Sequence, residues 1–431
     1  MLLLCSLSLF LVVKTASSHG VGAWTGLQPA GIPPPSKVYH SSATVGSNLY
    51  ISGGAAGKAG GNRTVYYDSF QNKWVNQANA ELPHDAQVAD MDESGGVLYL
   101  FGGKDTVHID PDGAGLINSM HILRTVTSRQ TWETVHPLHS PGERNGHTMT
   151  SIAGMMVVFG GWDQTKYYND LYGLDTTELV LPSQGGRPIM WMKLTPESGS
   201  PAPRNSHTMV SVGHELIMFG GFSHNIEKSG AWTQCPPEDK CIFYDDVWSL
   251  RLPSKIDQGD VEWKQLAPTD EHRPVGRWWH AASAVGDRMY VYGGLSSTGV
   301  VLSDVWSYSP SVNVWRVLAA NPMGGSYGHS MSVMAGSLYI FGGFTKPAWA
   351  GRTSQLWRYD TPLVESDDDG EELIPTTNPT TQPSSSAGVT IGFLLTITLN
   401  LVILGLNVYA CRKNGGGGGG GGGYVNMGGS V

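Results

Sequence analysis

The chain has 431 residues, of which 57 are Gly and 14 are Trp, while charged residues make up only 15%. Many glycines with many aromatics point to short strands, tight turns and ring-filled interfaces between sheets. The formal charge of -9 is local, because Glu365, Asp367, Asp368, Asp369, Glu371 and Glu372 supply most of it; no basic face of the kind nucleic-acid binding requires remains.

In chain order, Leu2 to Val13 is a short apolar run followed by Lys14 and the small residues Ala16, Ser17 and Ser18. It is too short to span a bilayer and reads as a secretory signal peptide over residues 1–18, although its first residues carry no Lys or Arg. An apolar strand followed by a Gly-Gly doublet then recurs six times, at Gly53-Gly54, Gly102-Gly103, Gly160-Gly161, Gly220-Gly221, Gly293-Gly294 and Gly342-Gly343. Most doublets have a strand-opening histidine upstream: His40, His147, His207, His280 and His329. Downstream comes an aromatic third strand, as in Asp170-Leu-Tyr172, Asp246-Val-Trp248 and Asp304-Val-Trp306, and then a tryptophan strand marked by Trp74, Trp132, Trp191, Trp263 or Trp315. Four strands per unit at a period of roughly 50 residues is the pattern of a propeller blade.

The sixth unit stops at Tyr359-Asp360 without its tryptophan strand, and a spare one stands at the start, Trp24-Thr-Gly-Leu27. The first strand therefore completes the last blade and leaves no open sheet edge. The second unit departs most from the pattern, with His84 displaced and Met120-His121 in place of the Asp-aromatic pair, and is expected to be the least regular. The histidines recur once per blade, which fits hydrogen-bonded core positions and no metal pattern. No cofactor motif is present.

These units resemble the Kelch repeat family, and the resemblance covers about residues 24 to 360. It implies an all-β, six-bladed Kelch-type β-propeller over residues 19–362. In Kelch proteins that bind peptides, the residues before the His strand and after the doublet lie on one rim. That resemblance puts Arg144, Asn145, Arg204, Asn205, Arg277, Trp278 and Tyr327 there, with Trp162, Asp163, Phe222, His224 and Phe344 from the second set. Arginine, asparagine and exposed aromatics suit a protein or glycan ligand. The alternative for Arg144, Arg204 and Arg277 is structural, tying neighbouring blades together. The family also contains oxidases and sugar mutarotases. An oxidase-like site would need a free cysteine beside a redox tyrosine, whereas a mutarotase-like reaction needs only an acid/base pair in the axial pocket. A buried carboxylate beside Arg would favour chemistry; an aromatic-lined mouth would favour binding.

The fourth unit carries a long insertion after Gly221, with Cys235 and Cys241 inside it. In an oxidising compartment these form a local disulfide that shapes the loop. Asn62-Arg-Thr64 is the one glycosylation sequon with an acceptable middle residue. Residues 363–386 read as an acidic, then Thr/Pro/Ser-rich stalk. Ala387 to Cys411 has no charge, and at about 1.5 Å per residue it crosses about 30 Å of hydrocarbon as one transmembrane helix. Arg412 and Lys413 follow at once, which places the tail, 412–431, in the cytoplasm and the propeller outside or in a lumen. Cys411 is a palmitoylation candidate. The Gly-rich tail presents Tyr424-Val-Asn-Met427, similar to motifs bound by phosphotyrosine-binding adaptors.

Overall fold

The structure, a computed structural model, describes residues 22–362 apart from 56–62, 84–89, 106–114, 126–129, 178–187, 225–240, 254–259, 269–271, 319, 323 and 349. All of them belong to one compact unit, Met1–Glu365. Six four-stranded antiparallel sheets form six blades. Blade 1 runs Ser41–Val45, Asn48–Ser52, Arg63–Asp68 and Lys73–Glu81 from the inner strand outward. The inner strands of blades 2 to 6 are Asp90–Ser94, Thr148–Ile152, Thr208–Val212, Ala281–Val285 and Ser330–Met334. They are packed neighbour to neighbour around the axis, the last against that of blade 1.

Blade 6 takes its outer strand from the other end of the chain. Ala23–Leu27 pairs antiparallel with Leu356–Asp360, from Ala23 opposite Asp360 to Leu27 opposite Leu356. The tryptophan count explains why this strand belongs there. In four seams, the aromatic residue before a doublet meets the outer-strand tryptophan of the next blade: Phe341 with Trp74, Phe101 with Trp191, Phe159 with Trp263, and Phe219 with Trp315, at centroid separations of 5.0–5.5 Å. Trp24 makes the same contact with Tyr292 of blade 5 at 5.4 Å. A single rule of packing thus holds across the covalent break in the ring.

The same aromatics carry the histidines on their other side. His40, His147, His207, His280 and His329 stand edge-on to Phe341, Phe101, Phe159, Phe219 and Tyr292. Three of these imidazoles also reach the first hydroxyl of the preceding inner strand: His40 to Ser330, His207 to Thr148 and His280 to Thr208, at 2.9–3.1 Å. The doublet leaves room for this. At Gly160 (φ +69°) an added Cβ would lie 2.8 Å from the Arg204 carbonyl and 2.9 Å from the His207 ring, and at Gly161 (φ +100°) it would lie 3.0 Å from the Asn145 carbonyl. Both the left-handed backbone and the close approach demand glycine.

Blade 2 is complete, with Val97–Phe101, Met120–Arg124 and the short Glu133–Val135 outside its inner strand. His121, where other blades have an aromatic, is fully buried between Ser119 and Thr134 hydroxyls at 3.1 and 3.0 Å. Trp132 donates its indole N–H to the Thr64 hydroxyl of blade 1 at 2.7 Å. Among the described residues no helix is long and apolar enough to cross a membrane. The expected signal peptide and the span Ala387 to Cys411 lie outside the described residues, as do Asn62, Cys235, Cys411 and Tyr424.

Candidate functional site

The three arginines expected on the rim are internal. Arg144, Arg204 and Arg277 are each 0% exposed. Each forms a two-pronged ion pair with the aspartate that opens the third strand of its own blade: Asp170 at 2.6 and 3.0 Å, Asp246 at 2.7 and 2.9 Å, Asp304 at 2.8 and 2.8 Å. The same guanidinium donates to the carbonyl of the first doublet glycine, Gly160, Gly220 or Gly293, at 2.8–3.0 Å. Tyr168 and Tyr244 cover the faces of Arg144 and Arg204 at 4.2 and 3.8 Å. These side chains fasten the blade to itself. Their backbone carbonyls fasten it to its neighbour: Gly103, Gly161 and Gly221 donate N–H to Arg144, Arg204 and Arg277 at 2.8–2.9 Å. Lys37 and Ser326 take the position in blades 1 and 6, accepting from Gly343 and Gly294 and donating to Gly53 and Gly342. Burial lowers the Lys37 amine to about 7.

The residue after each fastener pairs with the residue after the doublet, and this places most of the expected aromatics. Asn145 bridges Trp162, Asn205 bridges Phe222, Tyr327 bridges Phe344, and Trp278 pairs with Leu295. Phe222, Trp278, Tyr327 and Phe344 are consequently buried, forming the floor of the rim. Trp162 and His224 remain half-buried, joined through Tyr167, which stacks on Trp162 and hydrogen-bonds His224 Nδ1. Asp163 turns inward on its own loop, accepting from Thr165, Lys166 and the Tyr168 hydroxyl. Cys241 sits half-buried against this cluster.

The residues that surround the channel mouth stand one position further on: Tyr39, Gly146, Ser206, Trp279 and Gly328, all with φ between +51° and +64°. Their amides form a belt from blade to blade: Ser206 N–H to Gly146, Trp279 N–H to Ser206, Gly328 N–H to Trp279 and Tyr39 N–H to Gly328, at 2.7–3.3 Å. A left-handed backbone suits Gly and is tolerated by Ser, but for a bulky aromatic it costs roughly 1–2 kcal/mol. Tyr39 and Trp279 nevertheless occupy it, their rings 5.1 Å apart. Tyr39 folds over Gly328, where an added Cβ would lie 2.8 Å from its ring, and Trp279 stacks on Trp278 at 3.7 Å. This pair was missed at the sequence level. The signal is the residue before each histidine, small in three blades and aromatic in two.

Behind the mouth lies an axial cavity of about 390 Å³ walled by the six inner strands. Most of its polar lining is hydroxyl, but blade 2 contributes Asp90 and Asp92. These carboxylates knit the seam to blade 3, Asp90 accepting from Met149 N–H at 2.8 Å and Asp92 from Ser151 N–H at 2.6 Å. Burial raises them to about 7 and about 6 respectively, against the opposing effect of these backbone hydrogen bonds. Asp90 is pushed further by Asp92, and Asp92 by Glu93.

The seam imidazoles shift the other way. Burial lowers His40, His147 and His329 to about 3, and takes His207 and His280 well below the usual range, with neighbouring Lys37, Arg144, Arg204 and Arg277 adding to the effect at four of them. Because the folded state holds these rings neutral, the stability they contribute is complete above about pH 6.5 and is lost as pH falls towards about 3. Asp90 and Asp92 work in the opposite sense, costing stability at neutral pH and regaining it as pH falls through about 7 and 6. Each imidazole is worth about 1.4 kcal/mol per pH unit below its unfolded value, so five outweigh two. Urea midpoints should therefore fall between pH 7 and pH 5, and Asp90→Asn should make the fall steeper; a flat profile would contradict neutral burial of the rings.

The family profile described as the KLHDC2/KLHL20/DRC7 Kelch-repeats domain matches residues 76–255 and 255–398, well over half of the chain. The chain belongs to the Kelch-repeat family. It is 28% identical over 267 residues to multiple epidermal growth factor-like domains protein 8 of Mus musculus, a match to 58% of this chain and only 8% of that protein. It is 24% identical over 351 residues to Kelch domain-containing protein 10 of Rattus norvegicus, covering 77% of each. Among solved structures, that of YjhT superposes with a TM-score of 0.55 at 16% identity, over 77% of this chain and 95% of that one. At that identity the likeness shows the fold alone.

Proposed function

We propose that this protein is a membrane-anchored, extracellular or lumenal recognition module whose Kelch propeller binds a protein or carbohydrate ligand at the channel mouth. The observation that carries the reading is the pair Tyr39 and Trp279, bulky aromatics kept in a left-handed backbone where blades 3, 4 and 6 have Gly or Ser. Strain of this kind marks ligand clamps when the surrounding structure holds it in place. Half-buried Trp162, Tyr167 and His224 extend the aromatic surface over blades 3 and 4. Anchoring rests on the uncharged span Ala387 to Cys411 with Arg412 and Lys413 behind it. In that setting Cys235 pairs with Cys241, Asn62 carries a glycan, and the tail offers Cys411 for palmitoylation and Tyr424 to a phosphotyrosine-binding adaptor.

A second reading, a mutarotase-like activity, is favoured by Asp90 and Asp92, whose raised carboxyls suit proton exchange near neutral pH. Among the described residues the cavity lining holds no arginine, and Arg144, Arg204 and Arg277 are engaged in their ion pairs. The two readings separate in one experiment. The full-length protein is screened on glycan and peptide arrays and, in parallel, assayed for anomer interconversion of simple sugars. Recognition predicts an array ligand whose binding falls at least tenfold in Trp279→Ser, the residue blade 4 itself uses at this position. Sugar turnover with no ligand on either array would overturn it.

A further inference from the structure

We infer that the rim over blades 6 and 1 receives the acidic groups of an anionic glycan, sulfates or carboxylates, through Arg352 and Lys346 beside Tyr39. Charge is distributed unevenly around this ring. In a chain of formal charge -9, no Asp or Glu stands between Asp304 and Asp360, and none before Asp68. Blades 3, 4 and 5 each place an aspartate at the start of the third strand, whereas the same register holds Thr64 in blade 1 and Gln355 in blade 6. Glu81, on the outer strand of blade 1, is taken by Arg63 at 3.0 Å. Among its described residues this sector of the rim is therefore left with cations that no carboxylate offsets.

Two of those cations share one hairpin. Phe344–Lys346 pairs with Ala350–Arg352, and Phe344 lies opposite Arg352. Lys346 and Arg352 are exposed, and neither has an ion-pair partner among the described residues; Arg273, before blade 5, by contrast pairs with Asp245 at 3.3 Å. The Arg352 guanidinium lies 5.5 Å from the centre of the Phe344 ring, which packs against Tyr39 at 5.8 Å. Burial raises the Tyr39 phenol well above its usual range, the Tyr327 phenol adds to this, and Arg352 opposes it. The guanidinium is thus within electrostatic reach of the strained belt residue of blade 1. The Lys346 stem lies against Gly351, where an added Cβ would come 3.2 Å from its Cγ, which brings it alongside the residue before Arg352. A guanidinium presents five donors and an ammonium three, and both bind sulfate or carboxylate oxygens through charge-assisted hydrogen bonds. Phe344 and Tyr327 beneath them are buried, and the exposed Thr345, Pro347, Ala348, Ala350 and Gly351 carry no large apolar side chain. A protein partner relies on aromatic or bulky anchors seated in pockets; a hydrophilic polyanion does not.

The inference rests on the recognition reading and names its ligand class, yet it fails separately: a neutral array ligand lost in Trp279→Ser, with no acidic glycan bound, would remove it and leave that reading standing. The test immobilises the full-length protein and passes over it heparin, hyaluronate, poly-glutamate and neutral dextran at about 50 and about 200 mM salt. Heparin or hyaluronate should bind, more weakly at the higher salt; heparin alone assigns sulfate, and hyaluronate assigns carboxylate. Dextran should not bind, and poly-glutamate should bind about tenfold more weakly or not at all. Lys346→Gln combined with Arg352→Gln should weaken glycan binding about tenfold or more, while Lys264→Gln, on the outer strand of blade 4, should leave it unchanged. Should the double variant melt lower, acetylation of Lys346 in the unmodified protein decides, since bound glycan must protect that amine. No glycan binding, equal binding by a stably folded double variant, equal binding of poly-glutamate, or an unprotected Lys346 would overturn the inference.

Discussion

Deleting residues 22–30 should abolish the folded ring, with loss of the cooperative thermal transition of the full-length protein. The segment supplies the outer strand of blade 6, all five residues of which are paired with Leu356–Asp360. It also supplies Trp24, which touches Tyr359 at 4.9 Å in its own blade and Tyr292 at 5.4 Å in blade 5. Without it the described residues have only five outer strands for six blades, and Leu356–Asp360 becomes an open edge exposed to other chains. The penalty is comparable to the whole stability of a domain, about 5–15 kcal/mol, because every seam depends on the ring being closed. A synthetic peptide of residues 22–30 should restore part of the transition. An unchanged melting curve after deletion would break the closure argument.

Arg204→Ala carries the next largest expected effect. Its guanidinium is fully buried, satisfies both oxygens of Asp246, holds the Gly220 carbonyl and stacks on Tyr244. Removing one partner of a buried ion pair typically costs 3–5 kcal/mol, because the other charge stays behind. Asp246, held below the usual carboxylate range despite its burial by Arg204 and the Trp248 indole N–H, would then lose its main stabiliser. Arg204→Lys should cost less, since Lys37 shows that an amine can reach the equivalent glycine carbonyl in blade 1, but it cannot form the two-pronged pair. Chemical denaturation measures both. A change under about 1 kcal/mol in Arg204→Ala would place the arginine among ordinary surface charges.

The blade count was legible because its markers are steric necessities. A doublet that must admit a histidine ring and a carbonyl cannot be anything but glycine, and the tryptophan that fills each seam leaves a countable trace, including the displaced one at Trp24. The arginines were harder. Their repetition was visible and both readings were open, but the deciding partners, Asp170, Asp246 and Asp304, appeared in the sequence only as companions of the third-strand aromatics. The mouth was misjudged by one residue. The positions expected on the rim, Trp278 beside Arg277 and Tyr327 beside Ser326, point into the rim and are buried, whereas the belt positions, one residue further on in each blade, carry Trp279 in blade 5 and Tyr39 in blade 1. Only the left-handed backbone distinguishes the two sets, and a single sequence shows φ only where glycine stands. Asp90 and Asp92 sit in the unit read as irregular, and their place on the channel wall depends on which side of the inner strand faces the axis.

The location of recognition can be tested by hydroxyl-radical footprinting of the full-length protein with and without its array ligand. Phe70 is a built-in control: it is 89% exposed at the turn between the third and outer strands of blade 1, on the face opposite the channel mouth. Ligand should protect Trp279 and Tyr39 from oxidation while Phe70 reacts as before. Protection of Phe70 with Trp279 and Tyr39 unchanged would place the ligand on the other face and contradict recognition at the mouth.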